Sequence, residues 1–336
     1  MIKITHSDLN SLALKYKDLL KKWLYFDEKN KTNNNKKDRI SKIVETDGDI
    51  QYRDMLQYYH NNFDVLIELD SEKAFRNEIS NFRCKFGREI LKFTQAEKEA
   101  QKNTSFGMFK ERMQYFYREF FDAKYAGDEE EYRGYTNGAW LTKKIGMTTC
   151  PYCNRQYTFT ICLEKDKLKT RPQLDHFFPK SIYPYFALSF YNLVPSCPTC
   201  NQIKSEQEIE IHPYMDEFGS KYRFIAATIA GDEVNDWVLG KENITIKFSS
   251  RNKNIERLGL AELYSEHIDY VEEIIDKCLA YNESYYDSLI NSFRGLGTRE
   301  EEIDRIIWGN YIETTEQKKR PLSKLTRDIL EQLGIK

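Results

Sequence analysis

The stretch of sequence that decides the fold runs from residue 150 to residue 204. Its four informative segments are CPYC at residues 150–153, LDHFFPK at 174–180, YNLVPSC at 191–197 and CNQIK at 200–204. Seven of the eight prolines in the chain lie between residues 150 and 213. Proline at this density excludes long helices and predicts loops, hairpins and tight turns.

Four cysteines form two C-x-x-C pairs with 43 residues between them, namely Cys150, Cys153, Cys197 and Cys200. Each pair directs two sulfurs to one point, and two pairs complete the tetrahedral thiolate shell that Zn²⁺ favours. A redox dithiol is the alternative, but two pairs that frame one segment favour a metal. Because four thiolates leave no open position for water, we expect a structural zinc and a framed loop that carries the chemistry.

The framed loop contains Asp175 and His176 at the end of a predicted strand. Adjacent strand residues point to opposite faces, so both serve one site only if the strand ends in a distorted turn or the site lies between them. Asn201 is predicted to open a helix directly after the second cysteine turn. Oxygen ligands from Asp and Asn suit a hard ion such as Mg²⁺, and a metal-free histidine can take a proton from water. These residue types together predict phosphodiester hydrolysis.

The ordered set C-x-x-C, D-H-x-x-P-K, N-L and C-x-x-C-N-x-x-K resembles the HNH endonucleases, in their zinc-supported branch, over about residues 150–204. The resemblance implies that Asp175 is a metal ligand and that His176 is the general base. It implies that Asn192 braces the loop that carries the base. Asn201 takes the last position of the motif as the second ligand of Mg²⁺ or Mn²⁺, where the family often has histidine. The fold implied is a ββα-metal core, a β-hairpin followed by a helix.

Local charge also favours a nucleic-acid substrate. The whole chain has a formal net charge of −2, but residues 150–204 carry seven basic and three acidic side chains, a net of +4. Lys204, one helical turn beyond Asn201, is a candidate phosphate contact, and so are Lys180 and Arg171. A basic row that could track a phosphate backbone, or else form a solvated hairpin tip, comprises Lys165, Lys167, Lys169 and Arg171.

The rest of the chain is predicted to be mostly helical, which makes the fold class α+β. We divide it into a helical N-terminal region for substrate or partner docking (1–145), the nuclease core with its zinc (146–220) and a C-terminal region of short strands followed by helices (221–336). The composition of residues 156–163 predicts a strand, and the apolar spacing of residues 256–280 predicts one long helix.

The sequence therefore predicts a metal-dependent endonuclease acting on DNA. The layout looks like that of Septu-type bacterial anti-phage defence nucleases, which implies an ABC-type ATPase partner, since this chain has no P-loop of its own. A ribonuclease with the same site, for example one that acts on tRNA, is one alternative. A catalytically inactive zinc-stabilised module that binds nucleic acid or protein is another. The polar N-terminus and the lack of a long apolar run predict a cytoplasmic protein without membrane contact.

Overall fold

A computed structural model describes residues 1–25, 40, 44, 47–87, 104–163, 167–228, 244–281 and 283–335. Within the N-terminal region the helices are α1 Leu9–Leu24, α2 Ile50–Asn61, α3 Phe63–Ile67, α4 Glu72–Phe86, α5 Ser105–Asp122 and α6 Asn137–Ile145. The predicted helical character of this region is confirmed for its described residues.

Short polar side chains begin these helices. The Oγ1 atoms of Thr104 and Thr136 accept hydrogen bonds from backbone amides three residues on, at the starts of α5 and α6. These bonds satisfy amides that have no partner within the helix. Gly146 ends α6 in a left-handed conformation with φ 69°, a conformation that costs glycine nothing. This change of direction leads the chain to the first cysteine pair.

Three antiparallel two-stranded sheets follow. The strand pairs are β1 Ile161–Leu163 with β2 Lys167–Thr170, β3 Gln173–His176 with β4 Leu193–Ser196, and β5 Phe224–Thr228 with β6 Ile244–Phe248. Helix α7, Pro198–Lys204, comes directly after β4. The strand predicted for residues 156–163 is thus shorter than expected, because Tyr157 makes only an isolated bridge to Thr149.

The C-terminal region is helical after β6. Its helices are α8 Lys253–Arg257, α9 Leu260–Ser265, α10 Ile268–Ala280, α11 Glu283–Gly295, α12 Glu300–Trp308 and α13 Ser323–Gln332. The single helix predicted for residues 256–280 is wrong. Gly259 adopts a left-handed conformation with φ 57°, which separates α8 from α9.

The hydrophobic core extends across the boundary predicted between residues 145 and 146. One cluster of buried side chains joins α1–α5 to the loops around the cysteine pairs, and a second lies within residues 224–333. The ring of Phe75 in α4 stacks on Phe178 at 4.9 Å between centroids, and Phe82 stacks on Tyr185 at 4.1 Å. The three-part division stays a prediction, but the N-terminal helices pack directly on the loop that carries the candidate site. The predicted α+β class with a four-cysteine cluster is confirmed.

Candidate metal centre and active site

The four cysteines of the two C-x-x-C pairs come together in a buried cluster. Their sulfur atoms all lie within 4.8 Å of one another, and Cys153 Sγ is 3.9 Å from Cys197 Sγ. A tetrahedron with Zn–S bonds of about 2.3 Å has edges of about 3.8 Å. The cluster therefore has the size and donor set of a structural zinc site.

Backbone amides support the sulfurs. Arg155 N donates to Cys153 Sγ at 3.3 Å, and Cys200 N donates to Cys197 Sγ at 3.4 Å. Asn154 follows the first pair with φ 50°, a left-handed conformation that asparagine tolerates better than most residues. Its side-chain oxygen accepts from Lys324 N at 3.0 Å, so the cysteine turn is tied to α13.

The structure corrects the predicted start of the helix after the second pair. Helix α7 begins at Pro198 with Cys197 as its N-cap, so the cysteine turn is itself the first turn of the helix. Asn201 lies within α7 rather than at its start. Proline is favourable at the first helical position because its missing amide hydrogen would have no partner there.

Helix α7 crosses one face of β3. Its Asn201 Nδ2 donates to Gln173 Oε1 at 2.6 Å, and Lys204, three residues later, reaches Asp175. Gln173 and Asp175 are two residues apart and share a face of the strand. The structure thus brings Asn201 and Asp175 to the same side of the hairpin, as both would need for one metal ion.

Asp175 is 4% exposed, and its carboxylate already has two partners. Tyr152 OH donates to Oδ2 at 2.7 Å, and Lys204 Nζ lies 3.1 Å from Oδ2. Lys204 Nζ also donates to the backbone oxygen of His176 at 2.6 Å. The ammonium therefore fixes both the carboxylate and the end of β3.

This arrangement corrects the prediction that Lys204 contacts substrate. Its side chain is fully buried, because the basic group is needed to neutralise a buried carboxylate. A lysine with these contacts does not extend to a phosphate outside the protein. Its place in the sequence motif gave no sign of this burial.

His176 lies on the opposite face of β3 from Asp175 and is 6% exposed. Its Nε2 is 3.0 Å from the backbone oxygen of Ala187, and its ring meets that of Tyr117 edge-on at 4.7 Å. Burial lowers the pKa of His176 well below its ordinary value, and the nearby Lys180 ammonium lowers it further. The imidazole is therefore neutral at pH 7.

Asn192 is fully buried and holds the loop after β3. Its Oδ1 accepts from Phe178 N at 2.7 Å, while Nδ2 donates to the backbone oxygens of Phe178 at 3.1 Å and Phe186 at 3.0 Å. These three bonds connect the segment that follows His176 to the segment that precedes β4.

Two basic side chains lie on the His176 side. Lys180 Nζ is 4.1 Å from the ring centroid of Tyr117, a cation–π contact, and burial lowers the pKa of Lys180. Arg171 donates to the backbone oxygen of Pro172 and influences the pKa of Tyr117 by its charge. Both are half-buried, and their role near a substrate stays a prediction. Lys165 and the side chain of Lys167 lie outside the described residues.

Sequence reasoning missed two tyrosines at this site. Tyr152 stands between the first two cysteines, and its place inside the C-x-x-C turn was the available signal. Tyr117 belongs to α5, where an aromatic-rich helix pattern indicates core packing; its hydroxyl donates to Leu174 O at 3.2 Å. No local signal reveals that a residue 59 positions from His176 supports its ring.

Comparison with known proteins gives one informative similarity. The chain is 22% identical over 152 residues to the Septu protein PtuB of Bacillus thuringiensis, a match that covers 44% of this chain and 56% of that protein. The match thus spans little more than half the length of this relative. No protein-family model and no solved structure matches the chain. In the described part of the chain, every helix is too short or too polar to cross a membrane.

Proposed function

We propose that this protein is a metal-dependent endonuclease of the HNH type. The observation that carries the proposal is the antiparallel hairpin β3–β4 followed by α7, clamped by the cysteine cluster, with Asp175, His176 and Asn201 on these elements. A hairpin followed by a helix is the core that the sequence motif implies.

His176 is suited to act as the general base. A carbonyl oxygen can only accept, so the contact with Ala187 places the ring hydrogen on Nε2 and leaves the lone pair on Nδ1. Water would lose a proton to Nδ1 as its oxygen bonds to phosphorus, the bond from phosphorus to the leaving oxygen would break, and the leaving oxygen would take its proton from solvent. Asn192 keeps the loop beside the base in place.

Asp175 and Asn201 would hold the catalytic ion, Mg²⁺ or Mn²⁺. Their oxygen donors fit a hard cation, and Asn201 belongs to α7, which crosses the face of β3 that carries Asp175. A carboxylate has about four acceptor positions, so Asp175 keeps capacity beside Tyr152 and Lys204. Such an ion would supply charge stabilisation at the phosphate and the leaving oxygen. Lys180 and Arg171 add positive charge on the His176 side.

We further propose that the substrate is DNA and that the protein acts in bacterial anti-phage defence in the cytoplasm, with an ABC-type ATPase as partner. The partial similarity to the Septu protein PtuB supports the defence role. Residues 150–204 have a net charge of +4, against −2 for the whole chain, which supports a nucleic-acid substrate. RNA, including tRNA, is the second substrate to test, because the same chemistry cleaves it.

One observation favours a different function, a binding module without activity. The Lys204 ammonium already neutralises the carboxylate that would bind the ion, and His176 is buried on the opposite face of β3 from that carboxylate. A site closed in this way would bind nucleic acid or a protein without cutting.

A plasmid-nicking assay separates these functions. We expect nicking that requires Mg²⁺ or Mn²⁺, that is lost in His176→Ala, and that is unchanged in His6→Ala, a matched control at a histidine outside the site. The samples should contain about one zinc per chain. Wild-type protein that contains zinc but cleaves neither plasmid nor tRNA, alone or with a cognate ATPase, would favour the binding module.

A further inference from the structure

The segment before β1 has an inverted pattern of polar and apolar side chains. Thr158 and Thr160 point inward: Thr158 Oγ1 donates to Met147 O at 3.3 Å, and Thr160 Oγ1 is 2.8 Å from Thr142 Oγ1 of α6. A strand with one face on the protein normally places apolar side chains inward and polar ones toward water. Here the threonines take the inner positions.

The outer positions are apolar. Tyr157, Phe159 and Ile161, which we call the aromatic strip, are 49%, 44% and 43% exposed. The rings of Tyr157 and Phe159 are almost parallel, with centroids 4.6 Å apart and an interplanar angle of 19°. Single exposed apolar residues are ordinary, but three successive ones on the same face mark an interaction surface.

The charge around the aromatic strip is positive. Residues 149–162 contain Arg155 and no acidic residue, and Lys169 is exposed in β2 beside Thr170, which pairs with Ile161. Among the described residues from 167 to 176, the one acidic side chain is the buried Asp175. Glu164 and Asp166 lie outside the described residues.

The aromatic strip is connected to the candidate active site. The two residues that flank the β1–β2 hairpin both contact α6. Thr160 contacts Thr142 of α6, and the Arg171 guanidinium covers Gly138 of α6. A Cβ atom at Gly138 would be 3.0 Å from that guanidinium, so a larger residue there would displace the Arg171 side chain. The chain then passes from Arg171 through Pro172 into β3.

We propose that the aromatic strip binds single-stranded nucleic acid, with bases stacked on Tyr157 and Phe159 and the backbone beside Lys169 and Arg171. Stacked aromatic rings in a basic surrounding are the elements of sequence-tolerant binding of single strands. Three side chains are too few for a stable protein interface, which buries about 800 Å² on each partner. This inference rests on the proposed function, because the strand bound here would belong to the substrate.

The test compares variants that keep the apolar area with variants that keep the rings. Binding of fluorescein-labelled dT20 is followed by anisotropy in buffer without Mg²⁺ or Mn²⁺, so that nothing is cleaved. In Tyr157→Leu/Phe159→Leu we expect dT20 to bind at least about 10-fold more weakly, since leucine has no ring face for a base. Phe159→Tyr should bind as wild type does. Tyr285→Leu is the matched control, an equally exposed tyrosine of α11.

The outcomes separate this inference from the proposed function. If dT20 binding is unchanged in the double variant, the inference is overturned, because a surface that needs only apolar area, such as a protein-docking surface, would tolerate leucine. A wild-type protein that binds no dT20 would also overturn it. If His176-dependent nicking persists in that case, the proposed function stands alone. Ring-dependent dT20 binding without nicking would support the inference, and it would count against the nuclease only if tRNA also stays intact and a cognate ATPase does not restore cleavage.

Discussion

Lys204→Met is the change that most directly tests the centre of the site. Methionine is unbranched and of similar length, but it has no ammonium to contact Asp175 at 3.1 Å or the His176 oxygen at 2.6 Å. The exposed fractions of the Lys204 and Asp175 side chains are 0% and 4%. After the change, the carboxylate keeps Tyr152 OH as a donor but loses its counter-charge.

Removing one partner of a buried ion pair costs about 3–5 kcal/mol, because the remaining charge is left in a poorly solvated position. Total unfolding free energies are about 5–15 kcal/mol, so the loss is a large share of the whole. Urea unfolding at pH 7, followed by circular dichroism, should show it. Asp175→Asn in the Lys204→Met background removes the unpaired charge, and we expect the double variant to be more stable than the sum of the single effects predicts. Lys253→Met, at an exposed ion pair, is the control and should change stability by under about 1 kcal/mol.

A loss below about 1 kcal/mol in Lys204→Met would refute this reasoning, since it would mean that the carboxylate needs no cation when the protein is folded. Magnesium offers a second measurement. If Asp175 binds the catalytic ion, 10 mM Mg²⁺, a concentration chosen for the assay, should stabilise Lys204→Met more than wild type, because the ion then replaces the missing ammonium. An equal response of both proteins would argue against Asp175 as a ligand.

Three further predictions concern zinc, the bracing asparagine and pH. Cys200→Ser should lose the zinc and much of the stability, measured by metal analysis and thermal unfolding; a stable, zinc-free wild type would contradict the zinc assignment. Asn192→Ala leaves Phe178 N and Phe178 O unpaired, while Phe186 O still accepts from Ser189 N, and we expect a loss of about 2–6 kcal/mol, at about 1–3 kcal/mol for each of the two groups, and a loss of nicking. An active, stable variant would show that the bracing is dispensable. Burial lowers the pKa of His212 to about 3. Below pH 6.5 the unfolded chain therefore binds a proton at this histidine that the folded chain does not bind, and the free energy of unfolding falls as the pH falls toward 3. Between pH 7 and pH 5 wild type should lose about 2 kcal/mol more than His212→Phe in urea unfolding, and equal losses would assign the pH dependence to other groups.

The cysteine cluster could be predicted from the sequence because its signals are local, whereas the β3–β4 hairpin was implied by the family resemblance. The spacing within each C-x-x-C pair depends only on a turn, although Pro198, the first residue of α7, did not enter the prediction that the helix opens at Asn201. Closure of the two pairs follows from the chemistry of zinc, whose tetrahedral shell four thiolates complete. These features do not depend on how the remaining chain packs.

The surroundings of His176 and Asp175 could not be predicted, because they depend on distant residues. Tyr117 reaches the imidazole from α5, and no sequence pattern relates it to the motif. Lys204 was expected in solvent because lysine usually is, and its burial becomes evident only when α7 is placed across β3. The apolar spacing near Gly259 was uninterrupted, although the backbone there turns left-handed and ends the helix.

The contacts between α4 and the loop of the candidate site determine whether the motif could fold without the N-terminal helices. Phe75 covers Phe178, and Ser189 Oγ donates to the backbone oxygen of Leu66 in α3. A fragment limited to residues 146–220 would expose these surfaces to water and would lack the ring beside His176. The motif in this chain therefore could not be transferred to another protein on its own. A transfer of the site to another protein would have to include the N-terminal helices that complete its core.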